Sequence, residues 1–415
     1  MSFIGWLDYS EDEQRRVREL LQMFRDRGTV DDLGIGTLRD AISNRLFPGT
    51  SVLQTRARYF LFVPWIFQHV ADRRGDVLER AEFLERKLIG ALQRSDDQEG
   101  LIGRQAGMDV RTLPSAIYWA GLVTYGIFRA AGLSRARYAR SARSVRSRPT
   151  TEEELAERTD GFWDPDLPPP PDDFFDFDYA DFALRPVEAV WLSERVLSRE
   201  LEQGPCLLGD HVRQVRSGGR SLPEQLWEGE PLPGTAPETR RLIHHAERFS
   251  LLVEGAAIVY NLMLHEQRDD PDRGDAEDAE ALRARLDAWA GTAGECDLAG
   301  WTEEREEFFQ LVDPTGRTPF PTRTFIQGAL DRIATRPLDR LADDAEFRAL
   351  VRNRELQHKR NLARFRGGPR LQSWQGGSGL RRLDFRWNQI RRFLDDLRAG
   401  LAADRAPTRH ADAAY

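Results

Sequence analysis

The spacing of apolar residues is the feature of this sequence that most limits its fold. Apolar side chains recur at intervals near 3.6 in about a dozen segments, whereas the alternation typical of strands is scarce. Residues 55–70 are apolar on nearly every face, so this segment is expected to be a buried helix that Pro64 kinks or splits. We predict a mainly α, multi-helical fold. Helices are expected at residues 10–27, 35–46, 55–70, 77–92, 113–130, 133–148, 186–202, 239–267, 276–290, 302–312, 322–335, 341–366 and 380–401, with loops over residues 204–238.

The composition of the chain changes sharply near its middle. Residues 149–181 contain an acidic patch, Glu152–Glu154, four consecutive prolines, Pro168–Pro171, and then alternating phenylalanine and aspartate. A Pro-rich composition is typical of a semi-rigid linker between domains. We therefore predict two helical subdomains, at residues 1–148 and 182–401, joined by a Pro-rich acidic linker at 149–181 and followed by a disordered tail at 402–415.

Cysteine content and the first residues of the chain bear on its compartment. Cys206 and Cys296 are its only cysteines, too few for a disulfide framework or a thiolate metal cage. The N-terminal sequence lacks the basic and apolar regions of a signal peptide, and no apolar run approaches the roughly 20 residues that span a bilayer. We expect a cytoplasmic protein with no membrane partner.

The common catalytic motifs are incomplete in this sequence. Gly34 and Gly36 begin a dinucleotide-binding pattern, but Arg39 stands where its third glycine is required. His265 and Glu266 begin a metalloprotease pattern, but Asp269 replaces its second histidine. A phosphate-binding P-loop and a G-x-S-x-G nucleophile turn are both absent. These failures favour a protein that is not an enzyme and needs neither a metal nor a cofactor.

One weak catalytic pattern remains as an alternative. Arg352 and Asn353, followed by His358, resemble the motif of HEPN-class nucleases, which cleave RNA without a metal. The resemblance implies that the histidine performs acid–base chemistry on the 2′-hydroxyl and that the arginine holds the scissile phosphate. Arginine is so abundant in this chain that such a spacing is expected by chance.

Basic residues gather in the segment 351–392, which is called the basic segment below. It holds twelve Lys and Arg against two acids, although the net charge of the whole chain is −8. Because arginine binds phosphates and aromatic rings stack on bases, the segment predicts contact with DNA or RNA. The candidate contacts are Arg364, Arg366, Arg381, Arg382, Arg386, Arg391, Arg392 and Trp374. The alternative is that these arginines pair with the chain's own acids and that the aromatic rings belong to the core.

Three further charged residues interrupt apolar segments. Arg56 and Arg58 lie within residues 55–70, a segment too apolar to be an exposed helix, so at least one is expected to be buried against a carboxylate such as Asp40. An anion pocket is the alternative for this pair. Glu254 interrupts the apolar face of the helix predicted at 239–267, and either a metal or general-base role or an ion pair with an arginine would explain it.

Several stretches along the chain resemble an uncharacterised bacterial family of the domain-of-unknown-function kind. The resemblance is carried by Leu33–Asp40, Leu46–Gly49, Gln54–Trp65, Leu113–Trp119, Arg360–Phe365 and the pair Arg386 and Trp387. Similar proteins are encoded beside helicases in phage-defence gene neighbourhoods. The resemblance therefore implies a non-catalytic accessory component of an anti-phage defence system that binds nucleic acid or a partner enzyme such as a helicase. A metal-independent RNase and a purely structural interaction module remain the alternatives.

Overall fold

Helices form nearly all the regular structure in a computed structural model that describes residues 31–71, 73, 75–146, 161–219, 221–268 and 275–405. They are α1 (Gly36–Leu46), α2 (Tyr59–Ala71), α3 (Val77–Leu92), α4 (Pro114–Thr124), α5 (Arg135–Arg146), α6 (Pro186–Gln203), α7 (Leu207–Arg216), α8 (Pro237–Arg268), α9 (Asp275–Glu295), α10 (Arg305–Val312), α11 (Phe320–Thr335), α12 (Ala345–Lys359), α13 (Pro369–Gln372) and α14 (Trp387–Arg405). Within these ranges no strand forms, and Phe128 and Trp163 make a single antiparallel bridge. The prediction of a mainly α fold is confirmed.

Three predicted features lie wholly or partly outside the described residues. They are the helix expected at residues 10–27, the acidic patch Glu152–Glu154 and most of the tail predicted at 402–415. The described part of the tail begins as helix, because α14 continues to Arg405. None of the described helices combines the length and the apolar character that a membrane span requires.

The core of the N-terminal half is built around α2, which is buried on nearly every side. Its aromatic rings pack against the segment predicted as a linker: Phe62 stacks on Phe174, with ring centroids 5.6 Å apart. The Trp65 Nε1–H donates to the carbonyl oxygen of Pro168 at 2.7 Å. The described part of that segment is therefore held against a helix of the first predicted domain, and the proposed division into two subdomains stays a prediction.

Helices α8 and α14 organise the C-terminal half. Helix α8 packs along α9 and also contacts α12, whereas α14 packs against α6 and α7. Helix α12 contacts the loop before α1, since Arg354 donates to the carbonyl oxygens of Leu33 and Gly34 at 2.6 and 2.9 Å. The loop before α1 and helix α12, which are far apart in the sequence, therefore meet, and this meeting forms part of the cleft described below.

The helix boundaries differ from the predictions in places that have a physical explanation. Pro64 does not split α2, whose eleven buried residues are held by packing on every side. Helix α7 falls in the stretch predicted as loop. Helix α14 begins at Trp387 rather than at residue 380, because Phe385 and Arg386 have φ angles of 49° and 75°, which no right-handed helix contains.

Candidate anion-binding cleft

A cleft with a volume of 1310 Å³ lies where five segments of the chain meet. Its wall consists of the residues around the start of α1, the loop after α1, the start of α11, the end of α12 and the segment that leads into α14. Six arginines, three aspartates and one histidine line this cleft: Arg39, Arg354, Arg360, Arg381, Arg382, Arg386, Asp31, Asp40, Asp384 and His358. The formal charge of these ionisable side chains is therefore +3 with the histidine neutral.

The loop before α1 forms one side of the cleft, and Asp31 and Gly34 determine its conformation. Asp31 accepts hydrogen bonds from the backbone N–H groups of Ile35 and Gly36, both at 2.8 Å, and so satisfies donors at the start of the helix. Gly34 has a φ of +63°, and a Cβ there would lie 2.3 Å from Arg354 Nη2 and 2.8 Å from His358 Nδ1. Only glycine lets the loop approach α12 this closely.

The backbone of the cleft wall is strained at three residues that are not glycine. Arg360, Phe385 and Arg386 have φ angles of 53°, 49° and 75°, and all three line the cleft. Such conformations cost of the order of 1–3 kcal/mol each and concentrate at functional sites. The strain at Phe385 and Arg386 separates the segment 381–386 from the following helix and turns it along the cleft.

The aspartates of the cleft are already engaged. Asp31 caps α1, Asp40 pairs with Arg39 at 3.0 Å, and Asp384 accepts from the backbone N–H of Arg386 at 3.1 Å and from Asn388 Nδ2 at 2.7 Å. Among the residues that the structure describes, no carboxylate lies within 4 Å of the guanidinium groups of Arg354, Arg360, Arg381 or Arg386. The positive charge of the cleft is therefore largely uncompensated.

Arg386 is the most informative of these residues. It is 8% exposed, and its Nη1 donates to Asn44 Oδ1 at 2.9 Å and to the Thr50 carbonyl oxygen at 2.7 Å. Its buried Nε has no hydrogen-bond partner within the described part of the chain, and neither has the Oε1 of Gln389, which also lines the cleft. A buried donor and a buried acceptor left unsatisfied on one cleft wall are costly unless a ligand satisfies them.

Burial lowers the pKa of three arginines in the cleft. For Arg354, Arg382 and Arg386 the removal of water from the guanidinium is the largest effect, and the charges of nearby acids, among them Glu247 at 3.8 Å from Arg382, only partly offset it. All three stay charged at neutral pH, because the ordinary pKa of arginine is far above it. Arg354 and Arg386 also lack a close counter-charge, and desolvated cations of this kind are suited to binding anions such as phosphate.

The structure brings together only part of the predicted nucleic-acid surface. Arg381, Arg382 and Arg386 line the cleft. Arg364, by contrast, pairs with buried Asp32 at 2.8 Å and donates to the Tyr260 hydroxyl at 2.8 Å, which makes it part of the core. Four other candidates do not line the cleft: Arg366, which donates to the Arg360 carbonyl oxygen, Arg391, Arg392, which pairs with Glu99, and Trp374.

Trp374 is not available for base stacking. It is 4% exposed, its Nε1–H donates to Ser378 Oγ at 3.0 Å, and the Arg268 guanidinium covers its ring at 5.4 Å. The predicted role of this residue in binding a base is therefore wrong, because its ring belongs to the core. The other tryptophan of the basic segment, Trp387, is 1% exposed.

The RNase alternative requires Arg352 and His358 to act at one site, and the structure separates them. Six residues apart on α12, the two side chains lie about 120° apart around the helix. His358 lines the cleft, whereas Arg352 is on another face, where its Nη2 donates to Gln267 Oε1 at 3.2 Å and its guanidinium covers Phe365 at 5.0 Å. Asn353 is exposed and does not line the cleft either.

Arg56 and Arg58 are both buried, and their partners are carboxylates other than the expected one. Arg56 makes a bidentate contact with Asp396, with Nη2 and Oδ1 2.9 Å apart, and Arg58 contacts buried Glu188 at 3.2 Å. The predicted partner Asp40 is wrong, since it pairs with Arg39 instead. Both residues join α2 to the later helices and do not line the cleft.

The polar residues of α8 likewise pair with neighbouring helices. Glu254 accepts a hydrogen bond from Arg285 of α9 at 2.9 Å, which is the ion pair considered as its alternative role. His244, His245 and Glu304 lie close enough to suggest a metal site. However, His245 Nδ1 accepts from the Trp301 Nε1–H at 2.9 Å, so its lone pair is committed and too few ligand atoms remain for zinc.

Sequence reasoning missed the residues that complete the cleft. Arg39, Arg354 and Arg360 stand among many arginines, and their spacing carries no motif. The signals that the sequence did contain are the Gly34-x-Gly36 pair and the stretches Leu33–Asp40, Arg360–Phe365 and Arg386–Trp387 that carry the family resemblance. All these stretches contribute residues to the cleft wall.

Comparison with known proteins supports a family assignment and no more. The model of a family of unknown function, DUF6361, matches residues 1–400, so the chain belongs to that family. No curated protein and no solved structure matches the chain. The functional argument therefore depends on the cleft itself.

Proposed function

We propose that this protein binds nucleic acid through the phosphate backbone, and that the cleft is the binding site. The observation that carries the proposal is the buried guanidinium of Arg386, whose Nε lacks a partner among the described residues and which no described carboxylate neutralises. Arg360 and Arg381, which also line the cleft, add two exposed arginines. Together they offer several planar, charged donors to successive phosphates.

The biological setting is a second part of the proposal. We place the protein in the cytoplasm, as a non-catalytic accessory component of a bacterial anti-phage defence system with a helicase as a protein partner. The support for this setting is the family resemblance together with a cleft that offers charge and no complete catalytic group. His358 stands in the cleft without Arg352, so the Arg352–His358 pair on which the RNase alternative was based is not assembled there.

The proposal is tested by measuring the affinity of the full chain for labelled single-stranded and duplex DNA and RNA at two salt concentrations. Because arginine contacts release counterions from phosphates, affinity should fall steeply as salt rises. Inorganic polyphosphate should compete, since the cleft recognises the charge. Replacing both Arg360 and Arg381 with alanine should flatten the log–log salt slope by about 1.4 for a single strand, or about 0.7 for each lost phosphate contact.

The matched control is the double replacement of Arg340 and Arg370 with alanine. Both residues are exposed, and neither lines the cleft. This variant loses the same net charge, so it should bind nearly as tightly as the unaltered chain. An equal loss in both variants would show a diffuse charge effect and no role for the cleft. Failure of the unaltered chain to bind any nucleic acid at low salt would reject the proposal and favour a structural interaction module.

A further inference from the structure

We propose that Phe320 is a base-stacking residue at the rim of the cleft, and that the ligand is therefore a single-stranded nucleic acid. This inference rests on the proposed function and makes it more specific. Phe320 is 79% exposed, a high fraction for a large aromatic side chain. Phe320 is not itself one of the residues that line the cleft, but its sequence neighbours Pro319 and Pro321 both line it, which places Phe320 at the edge. Phe320 thus presents an apolar ring at the edge of a surface that is otherwise dominated by arginine.

The backbone around Phe320 is rigid. Pro319 is the N-cap of α11, with φ −56° and ψ 136°, and Pro321 lies in the first turn, so two proline rings restrict the chain on both sides of the phenylalanine. Thr322 anchors the same turn, because its hydroxyl accepts from Arg354 Nη2 at 2.7 Å and donates to the Gly34 carbonyl oxygen at 3.2 Å. A ring on a fixed backbone loses little conformational freedom when a base stacks on it.

The exposed ring of Phe320 also favours a single-stranded ligand over a duplex. In a duplex the faces of the bases are covered by their neighbours, whereas an unpaired base offers its face to an aromatic side chain. Val52 adds a second apolar contact, since it lines the cleft and is 44% exposed. Arginines that hold phosphates beside an exposed ring form the combination found in proteins that bind single strands.

The test compares two labelled single-stranded ligands of equal length and charge: oligothymidine and the corresponding oligomer without bases. The unaltered chain should bind oligothymidine about 5- to 100-fold more tightly. Phe320→Ala should remove this preference and leave the affinity for the base-free oligomer unchanged, whereas Phe320→Trp should keep the preference. Because Phe320 is exposed, its replacement should not alter the melting temperature.

Phe83 is the matched control, since it is 52% exposed on α3 and, unlike Phe320, has no adjacent residue that lines the cleft. Phe83→Ala should retain the full preference for oligothymidine. Equal affinity of the unaltered chain for the two oligomers, retention of the preference in Phe320→Ala, or tighter binding of duplex than of single strand would each overturn the inference while leaving phosphate binding intact. If neither oligomer binds at low salt, the proposed function itself fails.

Discussion

Two regions of the molecule each bury a pair of arginines: the segment just before α2 and the wall of the cleft. The two pairs are equally buried but differ in whether carboxylates surround them. Arg56 and Arg58 are 8% and 7% exposed, and Arg354 and Arg386 are 6% and 8% exposed. Each member of the first pair contacts two carboxylates, Asp97 and Asp396 for Arg56, and Asp181 and Glu188 for Arg58. Among the described residues, the second pair has hydrogen-bond acceptors only on carbonyl, amide and hydroxyl groups.

The electrostatic consequences of this difference are opposite. Burial disfavours the charged form of Arg56, yet the hydrogen bonds and the charges of Asp396 and Asp97 raise its pKa above the ordinary value. In the cleft, burial prevails and lowers the pKa of Arg354 and Arg386. Burial of arginine therefore does not identify a binding site, whereas burial without a carboxylate on the wall of a cleft does indicate one.

The largest expected effect on stability is that of replacing Arg56, whose charge is paired with two carboxylates. Arg56→Ala leaves the buried carboxylate of Asp396 without a counter-charge, which should lower the free energy of unfolding by about 3–5 kcal/mol. Urea denaturation followed by circular dichroism measures this loss, and Arg56→Lys should recover part of it. An unchanged stability combined with lost nucleic-acid affinity would contradict the comparison and move the anion site to Arg56.

Glu85 is a buried charge that contacts an arginine only through a third side chain, the Ser115 hydroxyl. The carboxylate is fully buried and accepts from the Ser115 N–H and hydroxyl, while Arg135 donates to that hydroxyl. Burial raises the pKa of Glu85 to about 7 from 4.5, so between these values the folded chain binds more protons than the unfolded chain. The contribution of Glu85 to stability is therefore complete below pH 4.5 and is lost as the pH rises through about 7.

Glu85→Gln removes this titration while keeping a side chain of similar shape. Relative to the unaltered chain, the variant should gain about 3 kcal/mol of stability between pH 4.5 and pH values above 7. Urea denaturation at the two ends of this range measures the gain. Parallel stability profiles for the two proteins would show that Glu85 does not change its protonation there.

Arg386→Met tests the unpaired site, and its expected effect on stability is smaller. The variant loses hydrogen bonds to Asn44 and Thr50 but no longer buries an uncompensated charge, so the unfolding free energy should change by only about 1 kcal/mol. Thermal melting with inorganic polyphosphate provides the functional readout. Polyphosphate should raise the melting temperature of the unaltered chain and have little effect on the variant. A loss as large as that of Arg56→Ala would show that Arg386 is structural.

Much of the fold could be predicted from the sequence because helical periodicity is a local property. Residues 77–92 form α3, and the buried character of α2 follows from its composition. Helix α7 was missed since its ten residues lie within a stretch rich in glycine and proline. The start of α14 was also missed, because nothing local to Phe385 and Arg386 reveals that tertiary contacts hold them in the left-handed region.

The site was harder to predict because its residues meet only in the folded chain. Gly34 and Arg354 are 320 residues apart in sequence, yet the side chain of one donates to the carbonyl oxygen of the other. The basic segment indicated the correct neighbourhood but not which of its faces would be exposed. Trp374 is enclosed by Arg268, whereas Phe320, which lies outside the basic segment, stands exposed at the rim.

The smallest expected effect on stability and affinity is that of replacing Arg352, which is an exposed arginine outside the cleft. Its guanidinium rests on Phe365 and donates to Gln267, away from the cleft. Arg352→Ala should change stability by no more than about 0.5 kcal/mol and leave nucleic-acid affinity and its salt slope unaltered. Incubating the unaltered chain and the variant with labelled RNA in a chelating buffer tests the nuclease alternative directly. Metal-independent cleavage that Arg352→Ala abolishes would mean that the arginine reaches the substrate despite facing away from His358, and the cleft would then be a catalytic site.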